Sequence, residues 1–121
     1  MATATKAART LQASASNAAG ATATGTAVDL RTAVADMLVT AIITNGGTGP
    51  TVGCDFIIEV SNDNSTWREF SRATAGVTSS ITYTFAVLIP SAVMYVRSKF
   101  TGNTGQAVTV AAEGHEYSAI L

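Results

Sequence analysis

The stretch that decides the fold class is Val52-Gly-Cys-Asp-Phe-Ile-Ile-Glu-Val60-Ser-Asn-Asp-Asn-Ser65-Thr-Trp67-Arg-Glu-Phe-Ser-Arg72. Its first nine residues place apolar side chains at every second position, which is the pattern of a strand with one buried face. The short polar residues 61–65 follow, and such side chains bond the neighbouring backbone and favour a turn. Alternation then resumes from Trp67. The stretch therefore predicts a β-hairpin with a five-residue connection.

Downstream of this hairpin the same alternation continues. It runs from Val77 to Ile89, where Pro90 ends it, and again over residues 92–100. Residues 101–105 then read as a turn because they contain two glycines and an asparagine. We expect one further strand around residues 108–110 and a final one over residues 117–121, after Gly114.

Upstream of the hairpin, residues 34–44 carry apolar side chains on both alternating sets. This pattern predicts a strand that is buried on both faces, with a short helix that begins near Asp29 as the alternative. The β-branched Val39, Ile42 and Ile43 favour the strand. Residues 45–50 contain three glycines and a proline and predict a loop.

Strands about 8 to 12 residues apart, with turn residues between them, are typical of an antiparallel sandwich or barrel. We therefore expect an all-β chain, with one antiparallel β-sandwich of the jelly-roll or Ig-like kind. The patterns predict about seven or eight strands and an extended N-terminal arm.

The N-terminal residues 1–27 differ in composition from residues 28–121, which we expect to form the β-sandwich domain. Between residues 2 and 27, Leu11 is the only large apolar residue, and Lys6 and Arg9 are the only charged ones. Such a segment buries too little apolar surface to order by itself. Two interpretations remain open: a tail that leads into an edge strand, or an arm that becomes ordered on a neighbouring subunit.

The overall composition excludes several classes of function. Ala, Thr and Ser supply 51 of the 121 residues, charged residues make up 12%, and the net charge is −1, so we expect no nucleic-acid partner. The longest apolar stretch, residues 33–43, is shorter than the roughly 20 residues that cross a bilayer, so we expect no membrane association. The N-terminal residues lack the pattern of a secretion signal, which predicts synthesis in a cytoplasm.

No group of residues predicts catalysis or a cofactor. His115 lies between Glu113 and Glu116, but successive strand residues point to opposite faces, so we expect an ordinary histidine. Cys54 lies on the apolar side of its strand, where burial raises the pKa of a thiol and makes it inert. The acidic and amide residues 55–64 lack the spacing of an EF-hand and predict a turn rather than a calcium site. We expect no enzyme.

Two further groups admit a binding role. Trp67, Tyr83 and Tyr95 could form an aromatic platform for a sugar, although Trp67 is expected to close one end of the sandwich core. Arg68 and Arg72 are predicted to share one face of their strand, as Arg97 and Lys99 do on theirs, and both faces are expected to be solvated. This second group comprises Arg68, Arg72, Arg97 and Lys99.

The segment Phe56-Ile-Ile-Glu-Val60-Ser-Asn-Asp-Asn-Ser65-Thr-Trp67 resembles the strand, polar turn and return strand of small tailed-bacteriophage virion proteins. Met94-Tyr95-Val96-Arg97 resembles a strand that often follows in those proteins. Asn64 stands where the family more often has glycine, and asparagine also accepts a left-handed conformation. A similar turn occurs in discoidin-like sugar-binding modules.

The resemblance implies a structural virion protein, made in the host cytoplasm, that decorates or cements the outer surface of a phage head. The alternatives are a tail or neck accessory protein and a carbohydrate- or receptor-binding module. The implied partners are the major capsid protein or other virion proteins, and further copies of the chain in a homo-oligomer. The candidate partner contacts are Lys6, Arg9, Leu11, Ile120 and Leu121.

Overall fold

The computed structural model describes residues 4–120, and the side chains of residues 4–117. This part of the chain contains no helix, and hence no helix that could span a membrane. Its nine strands are β1 (Ala4–Asn17), β2 (Ala23–Thr24), β3 (Val28–Asp29), β4 (Met37–Asn45), β5 (Asp55–Ser61), β6 (Arg68–Thr74), β7 (Thr82–Ile89), β8 (Tyr95–Thr101) and β9 (Val108–Ile120).

The strand pairs are nested around the hairpin predicted from the sequence. β5 pairs with β6, β4 with β7, β2 and β3 with β8, and β1 with β9, and every pair is antiparallel. The chain is thus one long double ribbon whose tip is the connection at residues 62–67. Folding the ribbon over itself adds the pairs β4–β9 and β5–β8 and closes two sheets, ordered β1-β9-β4-β7 and β2-β8-β5-β6.

This arrangement confirms the predicted all-β antiparallel sandwich. A rolled ribbon with nested pairs is the jelly-roll arrangement of two Greek keys. The strand count is nine rather than seven or eight, but β2 and β3 are two-residue pieces that both pair with β8. They occupy one strand position, so the sandwich has eight positions.

The core fills the space between the two sheets. Phe56 is central to it, since its ring lies 5.3 Å from that of Phe100 and 5.9 Å from that of Phe85. The inward apolar side chains of β4, β8 and β9 are 0–2% exposed, and they include Val39, Val96 and Val110. The alternation that the sequence shows in β5 therefore places Phe56 and Ile58 against the opposite sheet.

Two predictions about individual strands were wrong. β4 is a strand, but only one alternating set of its side chains is buried, and Leu38 and Ile42 on the other set are exposed. The buried set is Met37, Val39, Ala41, Ile43 and Asn45. The C-terminal strand does not break at Gly114, because β9 is continuous over 13 residues. A Cβ at Gly114 would overlap the Met37 side chain and lie 3.1 Å from the Leu38 carbonyl oxygen, so glycine here permits close approach of β4.

The N-terminal segment is part of the sandwich. Residues 4–17 form an edge strand along β9, with three register shifts, and Leu11 is 1% exposed in the core. Buried amides fix the end of this strand: Asn17 Nδ2 donates to Asn103 Oδ1 at 2.8 Å, and Asn103 Nδ2 donates to the Asn17 carbonyl oxygen at 3.1 Å. The division at residues 27 and 28 stays a prediction.

The tip of the ribbon is held by one carboxylate. Asp63 Oδ1 accepts hydrogen bonds from the backbone N–H groups of Ser65 at 2.9 Å and Thr66 at 2.7 Å, and from the Ser61 hydroxyl at 2.9 Å. Asn64 takes the left-handed conformation with φ of 59°. The polar residues therefore form a turn, as their composition predicts.

Candidate functional site

The outer face of the β1-β9-β4-β7 sheet is largely uncharged, and we name it the leucine–threonine face. The register brings Leu88 and His115 to either side of Leu38, and Thr84 and Ala111 to either side of Ile42. Leu38, Ile42 and Leu88 are 51%, 39% and 55% exposed. The face comprises Leu38, Thr40, Ile42, Thr44, Thr82, Thr84, Ala86, Leu88, Thr109, Ala111, Glu113 and His115.

Two open grooves cross this face. One, of about 460 Å³, lies over β1, β4 and β9 and is lined mainly by small and uncharged side chains, including Gln12, Thr40 and Ile42. The other, of about 730 Å³, lies at the opposite end, where Leu38 and Leu88 meet His115. These grooves are suited to the ridge of a protein surface rather than to an enclosed small ligand.

The outer face of the β2-β8-β5-β6 sheet carries paired charges, and we name it the ion-pair face. Arg97 Nε donates to Glu59 Oε1 at 2.9 Å. Arg72 bridges Asp55 and Glu69, and its Nη2 lies 2.8 Å from Glu69 Oε1. The face comprises Asp29, Arg31, Asp55, Glu59, Glu69, Arg72, Tyr95, Arg97 and Lys99.

The aromatic side chains that could bind a sugar do not form one platform. Trp67 is half-buried at the edge of the ion-pair face, outside the core, and the Arg97 guanidinium lies 4.2 Å from its ring centroid. The Arg31 guanidinium covers the Tyr95 ring in the same way, at 5.2 Å from the ring centroid. Tyr83 belongs to the other sheet and packs against the core. The prediction that Trp67 closes the core was wrong, because a cation rather than the sandwich covers its ring.

Arg68 and Arg72 do not share a face as the alternation predicts. A register shift pairs Ile58 with Ser71 but Glu59 with Glu69, which leaves Phe70 as the extra residue of a bulge. A bulge reverses the faces on either side of it, so Glu69 and Arg72 meet on the ion-pair face. Arg97 and Lys99 do share that face, opposite Glu59 and Ile57.

The candidate partner contacts fall into different environments. The Lys6 amine is exposed and lies 5.4 Å from the Tyr117 ring centroid, while Arg9 Nε donates to Glu116 Oε1 at 2.7 Å. Leu11 is used in the core of its own chain. The backbone of Ile120 pairs with Ala4, and Leu121 lies outside the described residues.

The ion pair of Arg9 is the only one of the first sheet within the part of the chain that the structure describes. The Glu116 side chain is 5% exposed and points inward from β9, and its second oxygen has no hydrogen-bond partner among these residues. Sequence reasoning missed this pair, because Arg9 and Glu116 are joined only by the β1–β9 register.

The reactive groups are separated from one another. Burial, with a smaller contribution from the Asp55 charge, raises the pKa of the Cys54 thiol to about 11, so the thiolate is scarce at neutral pH. His115 is exposed on the leucine–threonine face, whereas Glu116 points inward. Residues 4–117 bring no three His, Cys, Asp or Glu side chains together as metal ligands.

Known proteins share this fold without close sequence similarity. No protein-family model and no curated protein sequence matches the chain. A chain of the T13 particle of infectious bursal disease virus superimposes with a TM-score of 0.61 and 13% identity over 94% of this chain and 31% of its own. This chain therefore spans about a third of the viral one.

Two other solved structures are similar in fold. The K3 cleaved adhesin domain of Lys-gingipain from Porphyromonas gingivalis has a TM-score of 0.56 and 8% identity, over 84% of this chain and 72% of its own. The SPBc2 prophage-derived protein YomS has a TM-score of 0.50 and 12% identity, over 93% of this chain and 95% of its own. At these identities the similarity shows a shared β-fold.

Proposed function

We propose that this chain is a structural protein of a tailed-bacteriophage virion that decorates the outer surface of the head and stabilises it. The observation that carries the proposal is the leucine–threonine face, a sheet surface with three exposed large apolar side chains. Large apolar side chains grouped on one exposed face are typical of protein–protein contact. The proposed partner is the major capsid protein, and the proposed location is the assembled virion after synthesis in the host cytoplasm.

The distribution of charge supports this choice of face. Ten of the fifteen charged residues belong to β3, β5, β6, β8 or the turns after β3 and β5. Most of these charges neutralise one another within the ion-pair face, so that face has little need of a partner. The centre of a protein interface is depleted in charge, and Glu113 is the only Asp, Glu, Lys or Arg among the residues that define the leucine–threonine face.

The similar folds support a particle or binding role over a catalytic one. They belong to a virus particle, a prophage-derived protein and an adhesin domain. The proposed role needs no cofactor and no catalytic group.

Counting the copies of the chain in purified intact particles tests the proposal. A decoration protein is expected in many copies that stay with the heads after heads and tails are separated, since it binds a repeated surface. Quantitative mass spectrometry against the major capsid protein gives the ratio. A handful of copies, or copies that remain with the tails, would overturn head decoration and indicate a tail or neck protein.

A carbohydrate- or receptor-binding module is the second candidate, and the fold of the adhesin domain favours it. In that role Trp67 would stack on a sugar after Arg97 moves from its ring. Glycan binding should then fall at least tenfold in Trp67→Ala and stay unchanged in Phe70→Ala, an exposed aromatic on the neighbouring strand. Equal binding by both variants, or no glycan bound by the parent protein, contradicts this candidate.

A further inference from the structure

The strand β7 is an edge that lacks the features which keep other edges from pairing. It lies at the end of the β1-β9-β4-β7 sheet, and among the described residues β4 is its only partner strand. Eight consecutive residue pairs join it to β4 without a register shift. The strand Thr82–Ile89 contains no charged residue, no glycine and no proline. A long, regular and uncharged edge of this kind is a template for another strand.

The other three edges of the sandwich have features that disfavour pairing with another strand. β1 has three register shifts and carries Lys6 and Arg9. β6 has the bulge at Phe70 and carries three charged residues. The edge opposite β6 consists of β2 and β3, which are two residues each. Bulges, charges and short strands are the usual devices against edge pairing, so their absence from β7 alone is informative.

The inward side chains of β7 are a second, independent observation. Tyr83, Phe85 and Val87 pack against the core but are only partly buried. Their partners across the sheet, Ile43, Ala41 and Val39, are 0–2% exposed. The sandwich is therefore incompletely covered along β7, and a strand added there would cover these three side chains while pairing the free backbone groups.

We propose that β7 pairs antiparallel with β7 of a second copy, which joins two four-stranded sheets into one sheet of eight strands. The second copy is favoured as the occupant because both requirements are met by β7 itself: an uncharged edge of equal length, with the same alternation of inward and outward side chains. The pairing is isologous and closes on a two-fold axis, so it forms a dimer rather than a fibre.

Side-chain alternation restricts the register of this pairing. Inward residues must oppose inward residues. The two-fold axis therefore lies midway between the two copies of one residue, so that this residue opposes its own copy. Centring on Phe85 opposes Thr84 with Ala86 and Thr82 with Leu88, so that residues 82–88 of both copies pair with one another. Centring on Ala86 would place Pro90 opposite Thr82, and proline cannot donate to the new ladder. The geometry thus points to the axis at Phe85, with the leucine–threonine faces of both copies continuous.

The mass of the purified protein in solution tests the pairing without any virion. Analytical ultracentrifugation of the parent chain is expected to give twice its 12.3 kDa at micromolar concentration. The variant Thr84→Lys/Ala86→Lys should give the single-chain mass, because four lysines would then meet across the axis. Both positions are exposed, so circular dichroism should be unchanged. A parent protein that is monomeric at 100 µM, or a doubled mass for the lysine variant, overturns the proposal.

The variant Ser14→Lys/Ser16→Lys is the matched control, since it adds two lysines to the β1 edge of the same sheet. It should keep the doubled mass, and a monomer here would place the contact at β1 and overturn the proposal.

In a Cys54→Ser background, Thr84→Cys/Ala86→Cys should form an inter-chain disulfide, because directly opposed strand residues lie within disulfide reach. A dimer without that crosslink overturns the Phe85 register. The outcome does not depend on the proposed virion role, because no particle is present.

Discussion

The two outer faces of the sandwich are built from the same alternation of residues but are completed differently. On the ion-pair face, carboxylates and guanidinium groups from neighbouring strands pair directly, as Arg97 does with Glu59. On the leucine–threonine face, Leu38 and Leu88 are opposed across β4 and β7 with nothing covering them among the described residues. The charged groups of the ion-pair face find partners within the chain, whereas the large apolar side chains of the leucine–threonine face remain exposed.

The same difference separates the free edges. The edge of the ion-pair sheet at β6 is bulged and charged, whereas the edge of the other sheet at β7 is regular and uncharged. In the β2-β8-β5-β6 sheet the charged side chains have two roles: they pair with one another on the outer face, and on β6 they disfavour pairing with another strand. Both proposed contacts therefore lie on the sheet whose strands carry fewer charged residues.

The largest expected effect comes from a charge placed in the uncovered face. Ile42→Glu should weaken binding to phage heads that lack this protein by more than about 100-fold, because burying an unpaired carboxylate costs several kcal/mol. Cosedimentation with heads measures it. Lys99→Ala changes the net charge by the same amount on the ion-pair face and should bind as the parent does. Equal binding by both variants would show that the leucine–threonine face is not the contact.

A smaller effect is expected from breaking the ion-pair face. Arg97→Ala removes both the bond to the half-buried Glu59 and the cover over Trp67, and should lower the free energy of unfolding by about 1–2 kcal/mol. Urea titration followed by Trp67 fluorescence measures it. Arg68→Ala, which removes an exposed arginine from β6 at the edge of the same sheet, should change stability by less than about 0.5 kcal/mol. Equal free energies of unfolding for the two variants would show that the contacts of Arg97 with Glu59 and Trp67 do not stabilise the fold.

The hydrogen-bonded carboxylates of Asp63 in the tip turn and Asp29 on the ion-pair face should also make the free energy of unfolding depend on pH. Backbone hydrogen bonds from Thr66 and Ser65 lower the pKa of Asp63 to about 2, and the hydrogen bond from the Arg31 side chain lowers that of Asp29 to about 2. A folded pKa below the ordinary value of 3.8 gives stability that is complete above about pH 4 and lost as the pH falls toward 2. Asp63→Asn should flatten this fall in urea titrations between pH 5 and pH 2. A slope equal to that of the parent protein would contradict it.

The smallest expected effect is on the uncovered face in the isolated chain. Leu88 is 55% exposed, so Leu88→Thr should change the free energy of unfolding by less than about 0.5 kcal/mol. The neighbouring Ile89 is fully buried, and Ile89→Thr should cost about 2 kcal/mol or more. Thermal or urea unfolding of the pair measures the contrast. A large loss in Leu88→Thr would mean that its side chain already has a partner.

Much of the fold can be predicted from the sequence, whereas the candidate contact surfaces cannot. The hairpin around Asp63 could be predicted because its signals, alternation and a polar turn, lie within about twenty residues. Leu38 and Ile42 were expected in the core because apolar type marks a strand but does not say whether a second layer covers it. Arg68 and Arg72 were expected on one face because alternation cannot show where a bulge adds a residue.

The sequence by itself determined the antiparallel β-sandwich, the hairpin that forms the tip of the ribbon, and the burial of Cys54. These follow from period-two patterning, turn chemistry and local apolarity, which act between near neighbours. Only the tertiary structure decided that β1 lies along β9, that Arg9 meets Glu116, and that one sheet face and one edge are left uncovered. Those outcomes depend on how the ribbon folds over itself. Folding pairs residues as far apart as Arg9 and Glu116, which are 107 positions apart, and local sequence patterns do not specify such pairs.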